Sequence, residues 1–173
     1  MTIVVEDGTG LSNSESYVSV AEASAYFAAR GNTDWDAVDN KEAALRNATD
    51  YMIQTYTVRW SGNRAKTAQA LDWPRVLAER ANASSSYVNG VVYVDQLTVP
   101  PEVKRACIEL AVKASAAPLT TDLGREILSE SVSGAVAVTY AQGVGRQAGY
   151  SVVDAILAPL LSVGNSSISL ERA

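Results

Sequence analysis

The sequence predicts a mainly α fold: a compact bundle of three to four helices, two β-hairpins set into it, and extended N- and C-terminal arms. Three observations point there. Apolar residues make up 47% of the 173-residue chain, with alanine abundant and a single Phe, which suits close packing of helices. Two long stretches, Lys41–Tyr56 and Val99–Ala116, repeat apolar residues at helical spacing. Two shorter regions, around Asn89-Gly90 and Ser133-Gly134, place turn residues between β-prone runs.

In chain order, residues 1–18 combine the run Ile3-Val4-Val5 with a polar loop holding Gly8, Gly10, Ser12, Asn13 and Ser14. The run is too short to make a core alone and reads as an arm or edge strand, with Glu6-Asp7 as a solvated turn. Ser19 with Glu22 is a capping box. The helix that follows carries Val20, Ala23 and Phe27 and stops at Gly31. Thr33–Asp39 reads as a turn with Trp35 packed inward. Its aspartates do not make a calcium loop, because the sixth position is Asp39 and the closing position Leu45. Ala44, Ala48, Tyr51, Met52 and Thr55 then line one face of the Lys41–Tyr56 helix.

In the central helix Pro101 suits the first helical position and Glu102 the first turn. Val103, Ala106, Cys107, Leu110, Ala111 and Ala114 form its apolar stripe. Ile108 and Val112 widen that stripe until two sides need cover, from the same domain or from a neighbouring subunit. Residues 126–132 and 135–140 alternate as a hairpin. Gly143, Gly145 and Gly149 have the wrong spacing for a dinucleotide fingerprint and read as a loop. A last helix uses Val153, Ile156, Leu157 and Leu160, limited by Pro159. Ile168 and Leu170 alternate in the tail like an added strand. The expected organisation is an arm at 1–18, a helical domain at 19–161 with hairpins near 85–96 and 126–140, and a tail at 162–173.

The chain holds no His and one Cys. Missing His removes the commonest general base and metal ligand, and a lone Cys excludes an internal disulfide. Cys107, on the apolar stripe, reads as a small buried hydrophobe. No nucleophile–base pair, phosphate loop or metal-ligand cluster is present, so the expectation is a protein that is not an enzyme and has no cofactor or metal. No run has the length of a membrane span and no signal peptide opens the chain, which predicts synthesis in the cytoplasm and no membrane partner.

The net charge is −5, whereas proteins that coat nucleic acid usually carry a basic surplus. One region is nevertheless basic and aromatic. Arg59, Arg64, Lys66, Arg75 and Arg80 interleave with Trp60 and Trp73. A loop pinned by buried tryptophans with solvated arginines around it is the simpler account. Single-strand binders normally offer more basic charge and several stacking aromatics.

A set of segments in order carries a family resemblance. They include Val5-Glu6-Asp7-Gly8, Ser16-Tyr17-Val18-Ser19, Ala25–Gly31, Lys41–Leu45, Ala48–Tyr51, Arg59-Trp60, Gln69–Arg75, Pro101–Ala106 and Val153–Leu161. Together they resemble small tailed-phage and prophage proteins labelled DnaT-like single-stranded-DNA-binding proteins, which also look like head-to-tail connector (adaptor, head-completion) proteins. The Ser-rich insertion between Arg75 and Gln96 departs from that pattern.

The connector resemblance implies a virion neck protein made in the host bacterium. It would form a ring, commonly of twelve subunits, beneath the portal protein and against tail, stopper or tail-terminator proteins, with double-stranded DNA passing through. On that expectation Ile168 and Leu170 contact the portal or a neighbour, and Ile108 and Val112 pack laterally. The alternative is a single-stranded-DNA-binding replication accessory, with Arg59, Arg64, Lys66 and Arg75 touching DNA.

Overall fold

The computed structural model of the chain describes residues 2–80, 92–120, 127–132, 136–140 and 149–162. Four α-helices carry the fold: α1 (Val20–Ala28), α2 (Lys41–Tyr56), α3 (Pro101–Ala116) and α4 (Ser151–Leu157), the last continued by a 3₁₀ turn, Ala158–Leu160. The strands form two antiparallel pairs. A short one joins β1 (Asn63–Arg64) to β2 (Arg75–Val76), and a longer ribbon joins β3 (Ile127–Val132) to β4 (Val136–Tyr140). The mainly α expectation holds, with the antiparallel β3–β4 pair falling within the hairpin expected at 126–140.

Local sequence explains each helix start. Ser19 accepts from the Glu22 N–H at 3.1 Å while a Glu22 carboxylate oxygen accepts from the Ser19 N–H at 2.9 Å, completing the capping box. Asn40 caps α2 through the Ala43 N–H. Pro101 occupies the start of α3, and Glu102 lies in its first turn.

The core is built around α3, which packs against α2 and α4, and α1 closes on α2. Val103, Ala106, Cys107, Ile108, Leu110 and Ala111 are all buried on α3. The two-sided cover expected for this helix is therefore supplied largely within one chain. Ile108 is buried beneath an open apolar groove of about 400 Å³ between α1 and α3, and Val112 is half-buried. Trp35 is buried, stacked on Phe27 at 5.6 Å, with its indole N–H on Ser24.

The N-terminal stretch is extended but built into the core. Ile3, Tyr17 and Val18 are buried, and Val5 bridges Ser16. Glu6 corrects the expectation of a solvated turn. It is buried, and its carboxylate accepts the N–H groups of Gly8, Gly10 and Leu11 and the Ser14 hydroxyl, all at 2.8–3.0 Å. Four donors compensate the burial of one charge. Gly8, at φ +99°, lies so close to Leu97 that a Cβ would stand 2.2 Å from its carbonyl oxygen, which clamps this loop to the approach of α3.

The hairpin expected near 85–96 falls mostly outside the described residues, and the strand partner seen for Tyr93 is Glu79, which lies before that hairpin. Residues 92–94 pair outward with 78–80, through Arg80 N–H to Val92 O and Val94 N–H to Ala78 O. The Asn89-Gly90 turn, the glycine-rich 143–145 segment, and Ile168 and Leu170 lie outside the described residues.

Candidate nucleic-acid interface

The basic, aromatic region leaves α2 at Thr57 and returns through β1 and β2. Its two tryptophans turn inward. Trp60 and Trp73 are buried, their rings meeting edge to face at 5.6 Å, and Trp60 also lies 5.7 Å from the Tyr56 ring. Side chains so placed cannot stack on bases without unfolding the loop.

Asp72 organises the region. It is buried at 1% exposure and accepts from the Thr57 hydroxyl at 2.7 Å, the Trp60 indole N–H at 3.2 Å, and Arg64 Nη2 and Nε at 2.7 and 3.1 Å. Its own backbone N–H donates to the Tyr17 hydroxyl at 3.1 Å. A buried carboxylate costs several kcal/mol in desolvation unless paired in this way. Burial, and then the adjacent Asp72 charge, pushes the Tyr17 phenol far above its ordinary range.

The candidate contact residues have different fates. The buried Arg75 guanidinium donates to the carbonyls of Ser61 at 2.8 Å, Gly62 at 2.6 Å and Asp72 at 3.3 Å, so it ties a loop together. Burial lowers its pKa from the ordinary arginine value. Arg64 is partly exposed but held by Asp72. Arg59 reaches Asp154 at 3.4 Å and lies over the Tyr56 ring at 5.1 Å. Lys66 is exposed beside Gly10, its backbone N–H held by Gln69. Arg80 pairs with Glu102 at the head of α3. Of the four candidate contacts, Lys66 and Arg75 have no ion pair among the described residues, and of these two only Lys66 is exposed.

Sequence reasoning singled out the cations and missed the acids that hold them. A signal existed for Asp72, an acid flanked by Leu71 and Trp73 within a basic stretch. Glu6 precedes two glycines and a serine, whose free donors need an acceptor. Asp154 carried no local signal, since its role depends on α4 lying beside the end of α2.

Elsewhere, a shallow cavity of about 250 Å³ is lined by Asn47, Asp50, Gln54 and Leu119, among others. Among the described residues no three metal-ligating side chains gather, and no helix is long and apolar enough to cross a membrane. Cys107 is fully enclosed, 3.5 Å from the Thr49 hydroxyl, and burial pushes its thiol pKa up.

Comparison with known proteins gives one family. No curated protein and no solved structure matches the chain. The model of the family described as "Putative DnaT-like ssDNA binding protein" matches residues 1–173. The match spans the whole sequence, and the chain belongs to this DnaT-like family.

Proposed function

We propose that this chain is a structural subunit of a tailed-bacteriophage neck, a connector that assembles beneath the portal and lets DNA pass, with no enzymatic activity of its own. The observation that carries the reading is the use made of the basic region. Its tryptophans are buried and Arg75 is consumed by backbone carbonyls, while Arg59 and Arg64 are ion-paired. What resembled a binding surface serves the fold, and the acidic balance of −5 suits a conduit past which DNA slides better than a grip that holds it. The sequence resemblance to connectors supplies the assembly context, with the portal and tail proteins as partners.

The family match favours a second reading, single-stranded DNA binding. On that reading the contacts are electrostatic, from Lys66 and the exposed portions of Arg59 and Arg64, without base stacking. Native mass spectrometry of the chain with its cognate portal, beside a titration with labelled single-stranded oligonucleotide at low salt, separates the two. The connector predicts a portal-dependent ring and no salt-sensitive oligonucleotide binding. Tight binding that weakens steeply with salt and is reduced by Lys66→Ala, with no portal contact, would establish the second reading instead.

A further inference from the structure

We infer that the groove between α1 and α3 is a docking site for an acidic, aliphatic segment of a partner protein. The inference stands apart from the neck assignment, because it rests on the chemistry of this groove alone. The groove has a volume of about 400 Å³, near the lower end of the roughly 300–1,000 Å³ usual for ligand pockets. Its apolar lining comes from Val18, Ala25, Pro101 and Ile108, with the half-buried Tyr26 as one wall. Val18 and Ile108 form a buried floor, whereas Ala25 and Pro101 lie exposed at the surface. An aliphatic side chain laid here covers apolar atoms and desolvates few polar ones.

The charges around this lining give the partner its sign. Glu22 accepts from Lys104 Nζ at 3.0 Å and also completes the Ser19 cap, and Glu109 accepts from the Tyr26 hydroxyl at 2.8 Å. Both acids are thus engaged within the fold. Arg105 lines the groove, exposed, and neither it nor Arg30 makes an ion pair among the described residues. The Arg30 guanidinium lies over the Tyr26 ring, 3.4 Å from its centroid, and its Nη1 donates to the Tyr26 carbonyl at 3.0 Å. Burial and the bond to Glu109 raise the Tyr26 phenol, while the charges of Arg30 and Arg105 pull it the other way, so both guanidiniums act on this one wall. Two arginines without a bridging carboxylate, on a chain of net charge −5, complement an acidic occupant. A guanidinium already held in place also loses less freedom when its fork takes a carboxylate.

Nucleic acid suits the groove less well. A single-strand site needs open aromatic faces for the bases and a row of cations for the backbone. Here Tyr26 is engaged by Arg30 on one face and by Phe27 at 5.3 Å, and Glu22 and Glu109 set two acids where phosphates would pass. An apolar floor beside two free guanidiniums instead matches the pairing of an aliphatic anchor with a carboxylate that peptide-binding grooves use.

The test uses the full chain and labelled peptides of equal length: one alternating Glu with Leu, one with Lys in place of Glu, and one with Ser in place of Leu. Fluorescence anisotropy should show saturable binding of the Glu–Leu peptide and at least tenfold weaker binding of the other two. Arg105→Glu should keep the wild-type thermal midpoint and weaken that binding about tenfold or more. Ala25→Trp fills the groove from an exposed helical position and should weaken it comparably with both arginines intact. No saturable binding of the Glu–Leu peptide, or binding indifferent to both variants, overturns the inference. Self-association that Ala25→Trp abolishes makes a second copy the occupant. A labelled single-stranded oligonucleotide that binds in place of the peptide, and is lost in Arg105→Glu, makes the groove a nucleic-acid site. Either result overturns the inference as well.

Discussion

Asp72 shows how one residue can convert a set of apparent ligand contacts into structure. Its carboxylate gathers Thr57, Trp60 and Arg64, and its backbone N–H reaches Tyr17. Asp72→Asn keeps an acceptor but loses the charge that holds Arg64, and should cost about 1–3 kcal/mol in chemical denaturation. Asp72→Ala leaves several buried donors unmet and should cost more. Tyr56 and Tyr17 set an alkaline limit. Burial, and then donation of the Tyr56 hydroxyl to Asp154 at 2.9 Å, raises the Tyr56 pKa, and burial raises that of Tyr17. Both phenols lose their protons more readily unfolded than folded. Their contribution is therefore whole below the unfolded value of about 10 and is lost as pH rises above it. The thermal midpoint should be level with respect to these groups up to roughly pH 9–10 and then fall. Phenolate absorbance from these two tyrosines should appear only with unfolding. Cys107, enclosed by burial, should stay unlabelled by thiol reagents until the chain is denatured.

Helices were the most legible elements because their signals are local. Capping at Ser19–Glu22, the prolyl start at Pro101, and the apolar spacing of 41–56 all depend on residues within a turn or two of each other. Ser19→Ala should cost about 1 kcal/mol, read as a lowered unfolding midpoint. The small β1–β2 pair was not legible, since two-residue strands have no period to read. Its geometry depends on Gly62 at φ +67°, where a Cβ would stand 2.4 Å from Val76 O and 2.6 Å from Ala78 N. Gly62→Ala meets both a close backbone and a left-handed conformation, and should destabilise by about 1–3 kcal/mol. The wide apolar stripe on α3 was legible as a helix needing two covers. Which surfaces supplied them was not, and α2 and α4 do so within the chain.

At the scale of the molecule, the N-terminal stretch is part of the core. Glu6 is caged by the loop that follows it, Ala70 N–H reaches Leu11 O, and Tyr17 reaches Asp72. The same contacts that bind 2–18 to the basic region take that region's aromatic groups out of reach of a ligand. Salt-dependence measurements belong here. If the chain contacts a single-stranded oligonucleotide through Lys66 and the partly exposed arginines, the slope of log affinity against log salt should be only about one to two phosphates' worth. A slope reflecting many phosphates would require a surface other than this one.

The helices, their starts, the inward turn of Trp35 and the strands β3 and β4 are legible in the residues alone, because each follows from periodicity, capping or alternation among near neighbours. What the charged residues do became visible only in the packed fold. Charge and residue type are the same for a solvated arginine, a DNA contact and a guanidinium bound to three carbonyls. The difference lies in which distant acid or carbonyl the fold brings within hydrogen-bonding distance. Asp72 and Asp154 are those distant partners for Arg64 and Arg59, and no spacing rule joins residue 59 to residue 154 before α4 packs beside the end of α2.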